Sequence, residues 1–220
     1  MMKDFSTRLK RTPRWSSYDN KRNLVETYKE FLKGKSLLEF GVYSGNSLNI
    51  FSELYDEFGI PKIFFGFDSF EGLPKEELDE NNPHYWPEGL FKDSSVEHIK
   101  SFLPFVNVKD GWFEDTLNEE TYKEVSQNEV GLFHIDCDIY TSTIQVLEWI
   151  VKNNLLVDGA LIVYDDWGGH YDKNVGEFEC GEGRAHKEIC EKYDLNFEFI
   201  TCDVVMPDYW EICVFKYNAN

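Results

Sequence analysis

The sequence lacks the marks of several common functional classes. No stretch approaches the ~20 consecutive apolar residues of a membrane span, so no membrane association is expected. Five cysteines are present, Cys137, Cys180, Cys190, Cys202 and Cys213, yet none forms a C-x-x-C pair. Neither a zinc site nor a disulfide framework is indicated, and a reducing, cytoplasmic setting is expected. The segment MMKDFSTRLKRTPRWSS carries basic residues without an apolar run, so no secretory signal is predicted. Positive charge is scarce: 22 Lys and Arg stand against 41 Asp and Glu, a net charge of −19. That field repels phosphate backbones and removes nucleic acid from the expected partners. The G-x-S-x-G elbow of serine hydrolases is missing. The five histidines show no metal-ligand spacing, and there are no internal repeats.

What is present describes a globular domain. Hydrophobic residues make up 42% of the chain and aromatics 16%, enough to exclude disorder. The length suits a single domain, 1–220, with a sizeable core. Residues 1–33 read as a basic arm (Lys3, Arg8, Lys10, Arg11, Arg14, Lys21 and Arg22) running into a helix over 20–33. Leu24, Tyr28, Phe31 and Leu32 fall at helical spacing there.

Strands are expected at 36–40, 62–68, 107–113, 129–136 and 159–166, with helices at 46–58, 141–152 and 184–193 and closing strands at 196–202 and 210–217. This alternation predicts an α/β fold. The sheet is Rossmann-like, doubly wound, seven-stranded and mostly parallel, with a C-terminal antiparallel hairpin. Two irregular stretches, 69–93 and 167–183, exceed ordinary loop lengths and are expected to act as lids or substrate loops. Right-handed crossovers gather the carboxyl ends of parallel strands on one edge, where ligands bind. Glu39, Asp68, Gly111, Asp136 and Asp165 all fall at such ends.

Glu39 to Gly45 has the form E-x-G-x-x-x-G, in which Gly41 and Gly45 allow a sharp turn and close approach to a ligand. A carboxylate at Glu39 disfavours a pyrophosphate and favours a cationic ligand; S-adenosylmethionine, with a sulfonium and an ammonium, suits it better than a nicotinamide dinucleotide. Asp68 stands where an acidic residue accepts ribose hydroxyls. Gly111 and Trp112 offer bare backbone or an aromatic face to an adenine. Asp136, with Asp165 and Asp166 downstream, forms a carboxylate set suited to Mg²⁺, which takes oxygen ligands and keeps several waters. Asp138 is read as the amino-terminal cap of the following helix, with a D-x-D metal motif, Asp136-Cys137-Asp138, as its alternative. His134 shares a strand face with Asp136 and reads as a core residue.

Taken in order, LEFGVYSGNS, GFDSFEGLP, Trp86-Pro87-Glu88-Gly89, GWFEDTL, HIDCDIYTST and DDW resemble the macrocin-type (TylF/MycF-like) O-methyltransferases. These are a branch of the class I S-adenosylmethionine-dependent enzymes, and the resemblance covers most of the chain, Leu37 to Glu188. It implies a class I methyltransferase fold, Mg²⁺ dependence and methylation of a hydroxyl, often on sugars of natural products. It also implies metal ligands at Asp136, Asp165 and Asp166, with Asp136 as the candidate base. The donor-binding set is then Glu39, Gly41, Tyr43, Ser44, Gly45, Ser47, Asp68, Ser69, Gly111, Trp112 and Asp136. The expected partner is a small-molecule hydroxyl acceptor, a sugar or glycoside; a homo-oligomer is compatible with the resemblance. Two departures leave the acceptor open: a longer loop after DDW, and a short segment before Glu39. Two rival functions remain at this point, a nucleotide-sugar glycosyltransferase using the D-x-D and a non-catalytic S-adenosylmethionine-binding domain.

Overall fold

A computed structural model of the chain describes residues 17–76, 86–167, 178–206 and 210–219. The basic arm up to residue 16, His170 and the middle of each long loop lie outside the described residues. Helix α1 (Ser17–Leu32) is followed by β1 (Ser36–Phe40), α2 (Asn46–Glu57) and β2 (Phe64–Asp68). Next come α3 (Val96–Phe102), β3 (Asn107–Asp110), α4 (Phe113–Thr116), α5 (Glu119–Val125) and β4 (Val130–Ile135). The chain continues with α6 (Tyr140–Lys152), β5 (Leu156–Tyr164), α7 (Gly181–Tyr193), β6 (Phe197–Met206) and β7 (Trp210–Tyr217).

The seven strands lie in the order β3-β2-β1-β4-β5-β7-β6. The first five are parallel, and β7 runs antiparallel to both β5 and β6. Every residue of β1 and β4 is buried, as befits central parallel strands covered on both faces. One face packs Phe40, Phe67, Phe133 and Tyr164 against Val146 and Trp149 of α6 and Ile189 of α7. The other packs Leu37, Phe64 and Leu132 against Val25 and Leu32 of α1 and Phe51, Leu54 and Tyr55 of α2. Strand order reverses between β1 and β4, so the crevice beyond their carboxyl ends is the place for a ligand.

Several boundaries differ from the sequence reading. Strand β3 stops at Asp110 instead of running to 113, because Gly111 adopts φ 135° and donates its N–H to the Asp68 carbonyl. Helices α3, α4 and α5 were not expected; each is at most seven residues long, too short for a clear apolar repeat. Capping marks two of them nonetheless. Ser95 accepts from the His98 N–H, and Asn118 accepts from the N–H groups of Glu120 and Thr121. Helix α7 starts at Gly181, so the last residues of the 167–183 stretch are helical.

Candidate active site

A cavity of about 620 Å³ opens at the carboxyl edge over β1 and β4. Its lining includes Glu39, Gly41, Tyr43, Ser44, Ser47, Asp68, Ser69, Gly111, Trp112, Asp136 and Asp165. Ten of the eleven residues expected to bind the donor are thus brought together. Gly45 instead starts α2 with φ 77°, and a Cβ there would meet the side chains of Ile99 and Phe102.

The β1–β2 side of the cavity is built by backbone. Gly41 has φ 87°, and a Cβ on it would stand 1.8 Å from the Asp136 carbonyl oxygen. No side chain fits, so the β1 turn lies directly on the end of β4. Asp68 organises the same turn: its Oδ2 accepts the N–H groups of Val42 and Tyr43 at 2.8 and 2.7 Å, and its Oδ1 accepts that of Phe70 at 2.7 Å. Tyr43 and Phe70 both hold left-handed backbone, φ 46° and 54°, which these bonds offset. At the mouth the half-exposed Tyr43 ring meets Phe91 edge-on at 5.3 Å, and Trp86 lies 6.0 Å from Phe91.

The β4–β5 side is built by buried charge. Lys21 reaches in from α1, almost wholly buried, and its ammonium donates to Asp165 Oδ1 at 3.0 Å. His134 Nε2 stands 3.2 Å from the same oxygen. Its Nδ1 is 3.3 Å from Glu39 Oε2, but neither atom achieves hydrogen-bond geometry, so this is an electrostatic contact only. Burial alone would raise the Asp165 carboxyl; Lys21 and His134 overrule it and hold it well below the ordinary range. Burial would likewise depress Lys21, but Asp165, with Asp136 and Glu39 behind it, keeps the ammonium above its usual value.

The neighbouring carboxyls behave oppositely. Asp136, Asp138, Asp166 and Glu182 are all pushed well upward, by burial first and then by the neighbouring Asp165 carboxylate and one another. Asp138 is not a helix cap. Residue Ile139 precedes α6 without a side-chain cap, while Glu76 accepts the Thr141 N–H at 3.1 Å from the loop after β2. Asp138 adopts φ 61° and turns its carboxyl into the acidic cluster beside Asp166. Among the described residues, two groups have ligand atoms within 4.8 Å of one another: His134, Asp136 and Asp165, and Asp136, Asp138 and Asp166. Asp165 and Asp166 thus each join Asp136, in separate groups.

Sequence reasoning missed four contributors. Lys21 was read as part of a basic arm, and His134 as plain core. Glu182, fully buried at the start of α7, accepts the N–H of Cys137 at 3.2 Å and that of Asp166 at 3.1 Å, tying the β4 and β5 loops together. Glu76 caps α6 from a loop. Only Glu182 had a local signal, an acid in the first turn of a helix.

Comparisons with known proteins identify the family and the fold. The family model for macrocin-O-methyltransferase (TylF) matches residues 18–189. The solved O-methyltransferase NovP superposes with a TM-score of 0.66 at 19% identity, over 92% of this chain and 79% of that one. CalS11, a calicheamicin methyltransferase, superposes with a TM-score of 0.62 at 18% identity, over 90% and 78%. A Mg-SAM structure of cmcI follows at 0.51 and 16% identity, over 90% and 69%. No curated protein sequence matches significantly. The fold shared with these structures is the class I methyltransferase sheet.

Proposed function

This chain belongs to the macrocin O-methyltransferase family, and we propose that it transfers a methyl group from S-adenosylmethionine to a hydroxyl of a sugar or small natural product with the help of Mg²⁺. Membership sets aside the glycosyltransferase reading. The observation that carries the proposal is the meeting, in one cavity, of a glycine-built donor turn with the half-buried carboxyls of Asp136, Asp138 and Asp165.

The donor is assigned to the β1–β2–β3 side, where Glu39, Asp68, Gly111 and Trp112 line the wall. Glu39 supplies a negative field for a sulfonium or ammonium group, and Asp68 keeps lone-pair capacity for a ribose hydroxyl beyond its three backbone bonds. Tyr43, Phe91 and Trp112 give aromatic faces around the cavity, which suit the apolar face of a sugar ring or an aromatic glycoside.

The metal is assigned to the acidic cluster centred on Asp136, with Asp165 and Asp166 the other two carboxylates of the proposed set. The donor chemistry fits a hard cation: all three offer oxygen, and Asp166 Oδ2 is buried without a hydrogen-bond partner among the described residues. When bound, Mg²⁺ supplies positive charge that makes a nearby hydroxyl more acidic. Asp136 faces the cavity, where its carboxylate can serve as the general base. It takes the acceptor's proton as the oxygen gains the methyl group. Glu182 and the ion pair of Lys21 with Asp165 hold the surrounding backbone and side chains in place.

The test uses methyl-labelled S-adenosylmethionine with a panel of sugars, glycosides and catechols, in Mg²⁺ and in EDTA. A labelled methyl ether formed only with Mg²⁺ is the expected result. Full transfer in EDTA would remove the metal from the mechanism. Donor binding without transfer to any hydroxyl would favour the non-catalytic reading.

A further inference from the structure

We infer that the acceptor pocket selects by charge, taking a hydroxyl compound that is uncharged or bears an amine and refusing one that bears a carboxylate or phosphate. A sugar acceptor is then methylated free or as a glycoside, after it has left any nucleoside diphosphate. This rests on the methyltransferase reading above and names the chemistry of its acceptor.

The first observation is the charge of the wall. Six carboxyls line the cavity, those of Glu39, Asp68, Glu114, Asp136, Asp138 and Asp165, and no Lys, Arg or His does so among the described residues. Lys21 is 1% exposed, gives its ammonium to Asp165 and does not line the cavity. A divalent ion and a donor with one net positive charge offset only part of six carboxyls. Glu39 Oε2 is buried without a hydrogen-bond partner among the described residues, so the unmet demand there is for positive charge. The stretch 69–93, which supplies Ser69, Leu73 and Phe91 to the wall, has the same bias in its sequence, with seven acids against two lysines. A helix start can hold a phosphate without a basic side chain. That of α6 is taken, because Glu76 accepts the Thr141 N–H at 3.1 Å. That of α2 stands on the donor side, where the donor brings its own carboxylate.

The second observation is the aromatic mouth. Tyr43 and Phe91 line the cavity and meet edge-on at 5.3 Å, and Trp86 lies 6.0 Å from Phe91. Tyr43 and Phe91 both hold left-handed backbone, φ 46° and 66°, which residues of this size rarely adopt. The face of such a ring attracts a cation and gives an anion nothing, since its quadrupole is negative there. Rings and carboxylates together therefore suit a ring compound that carries an amine, and neither offers a partner to a phosphate.

The experiment uses three catechols that share one diol and differ in charge: 3,4-dihydroxybenzylamine, 4-methylcatechol and 3,4-dihydroxybenzoate. Calorimetry measures each against the full chain with Mg²⁺ and S-adenosylhomocysteine. The amine should bind tightest and the benzoate about tenfold or more weaker than the amine. That gap should narrow in high salt. Gln145→Lys places a cation on the wall from an exposed position of α6, where lysine is a good helix former. It should bring the benzoate within about threefold of the amine. Phe91→Ala should weaken all three by about threefold to tenfold without reordering them. A parent that binds the benzoate as well as the amine, or binds none of the three, overturns the inference, as does a Gln145→Lys protein with the parental ranking. Transfer from methyl-labelled S-adenosylmethionine is followed on the same compounds. The expected ranking without transfer to any of them leaves the charge selection standing and counts against the transferase reading. Transfer to the benzoate at the rate of the amine overturns the selection and leaves that reading standing.

Discussion

The two sides of the cavity are made in different ways. On the β1–β2 side the chain uses backbone: the left-handed turn at Gly41, three N–H groups on Asp68, and the N–H of Gly111 on the Asp68 carbonyl. On the β4–β5 side it uses charge: Lys21, His134, Glu182 and Asp166 are buried, and Asp136, Asp138 and Asp165 are half-buried. Backbone bonds to the Asp68 carboxyl and carbonyl fix the shape of the first side. Buried charge needs partners from distant elements, and wherever a partner is missing it needs a proton or an ion. The first side is built by backbone, and the second carries the carboxyls where a cation is proposed to bind.

The largest test of that contrast is Gly41→Ala, which strikes the seam between the sides. The new methyl group would overlap the Asp136 carbonyl, at a left-handed position as well. A loss on the order of 4 kcal/mol or more is expected, seen as a steep fall in melting temperature or in soluble protein. A variant melting like the parent would show that the two turns are not in contact.

Below the charged side, His186 gives a second test. It is buried against Tyr164, Trp167 and Phe215, with its Nδ1 3.0 Å from the Tyr164 hydroxyl, and burial pushes its pKa down to about 3. The imidazole is neutral in the fold but charges readily once unfolded. Its contribution is fully present above the unfolded value of about 6.5 and is lost as pH falls toward about 3. Across that window the effect is on the order of 5 kcal/mol. Denaturant melts of His186→Phe should show a flatter acid limb than the parent; parallel limbs would place the acid sensitivity elsewhere.

Glu182→Ala sharpens the contrast itself. It leaves the Cys137 and Asp166 N–H groups buried without their acceptor, at about 2–3 kcal/mol. Mn²⁺ affinity should fall by about tenfold, while donor affinity, read by calorimetry, should hold. Equal losses of both would mean that the two sides are one cooperative unit. The mirror experiment is Asp68→Asn. It should weaken donor binding by about 1.5 kcal/mol, roughly tenfold, and leave Mn²⁺ binding unchanged.

The same contrast explains what could be read from the sequence. Glu39 to Gly45, Asp68 and Gly111 belong to contiguous strand–turn motifs, and the period of the strands placed them on one edge. The strand Ser36–Phe40 and the closing strand Trp210–Tyr217 match their expected bounds because apolar runs ended by turns carry a local signal. Lys21 meets Asp165 across 144 residues, and nothing in SYDNKRNLVE sets that lysine apart from its solvated neighbours. Asp138 misled for a related reason: an aspartate two residues before a helix is an ordinary cap, and only its left-handed backbone sends the carboxyl elsewhere. Local rules recover shape; pairing of buried charge is a property of the assembled fold.

The most direct measurement of the separation is S-adenosylmethionine affinity by calorimetry in Mg²⁺ and in EDTA, with methyl transfer followed in the same two buffers. A donor side built by backbone should bind within about threefold in both, while transfer disappears in EDTA. Donor affinity that collapses in EDTA, or transfer that continues there, would contradict the account.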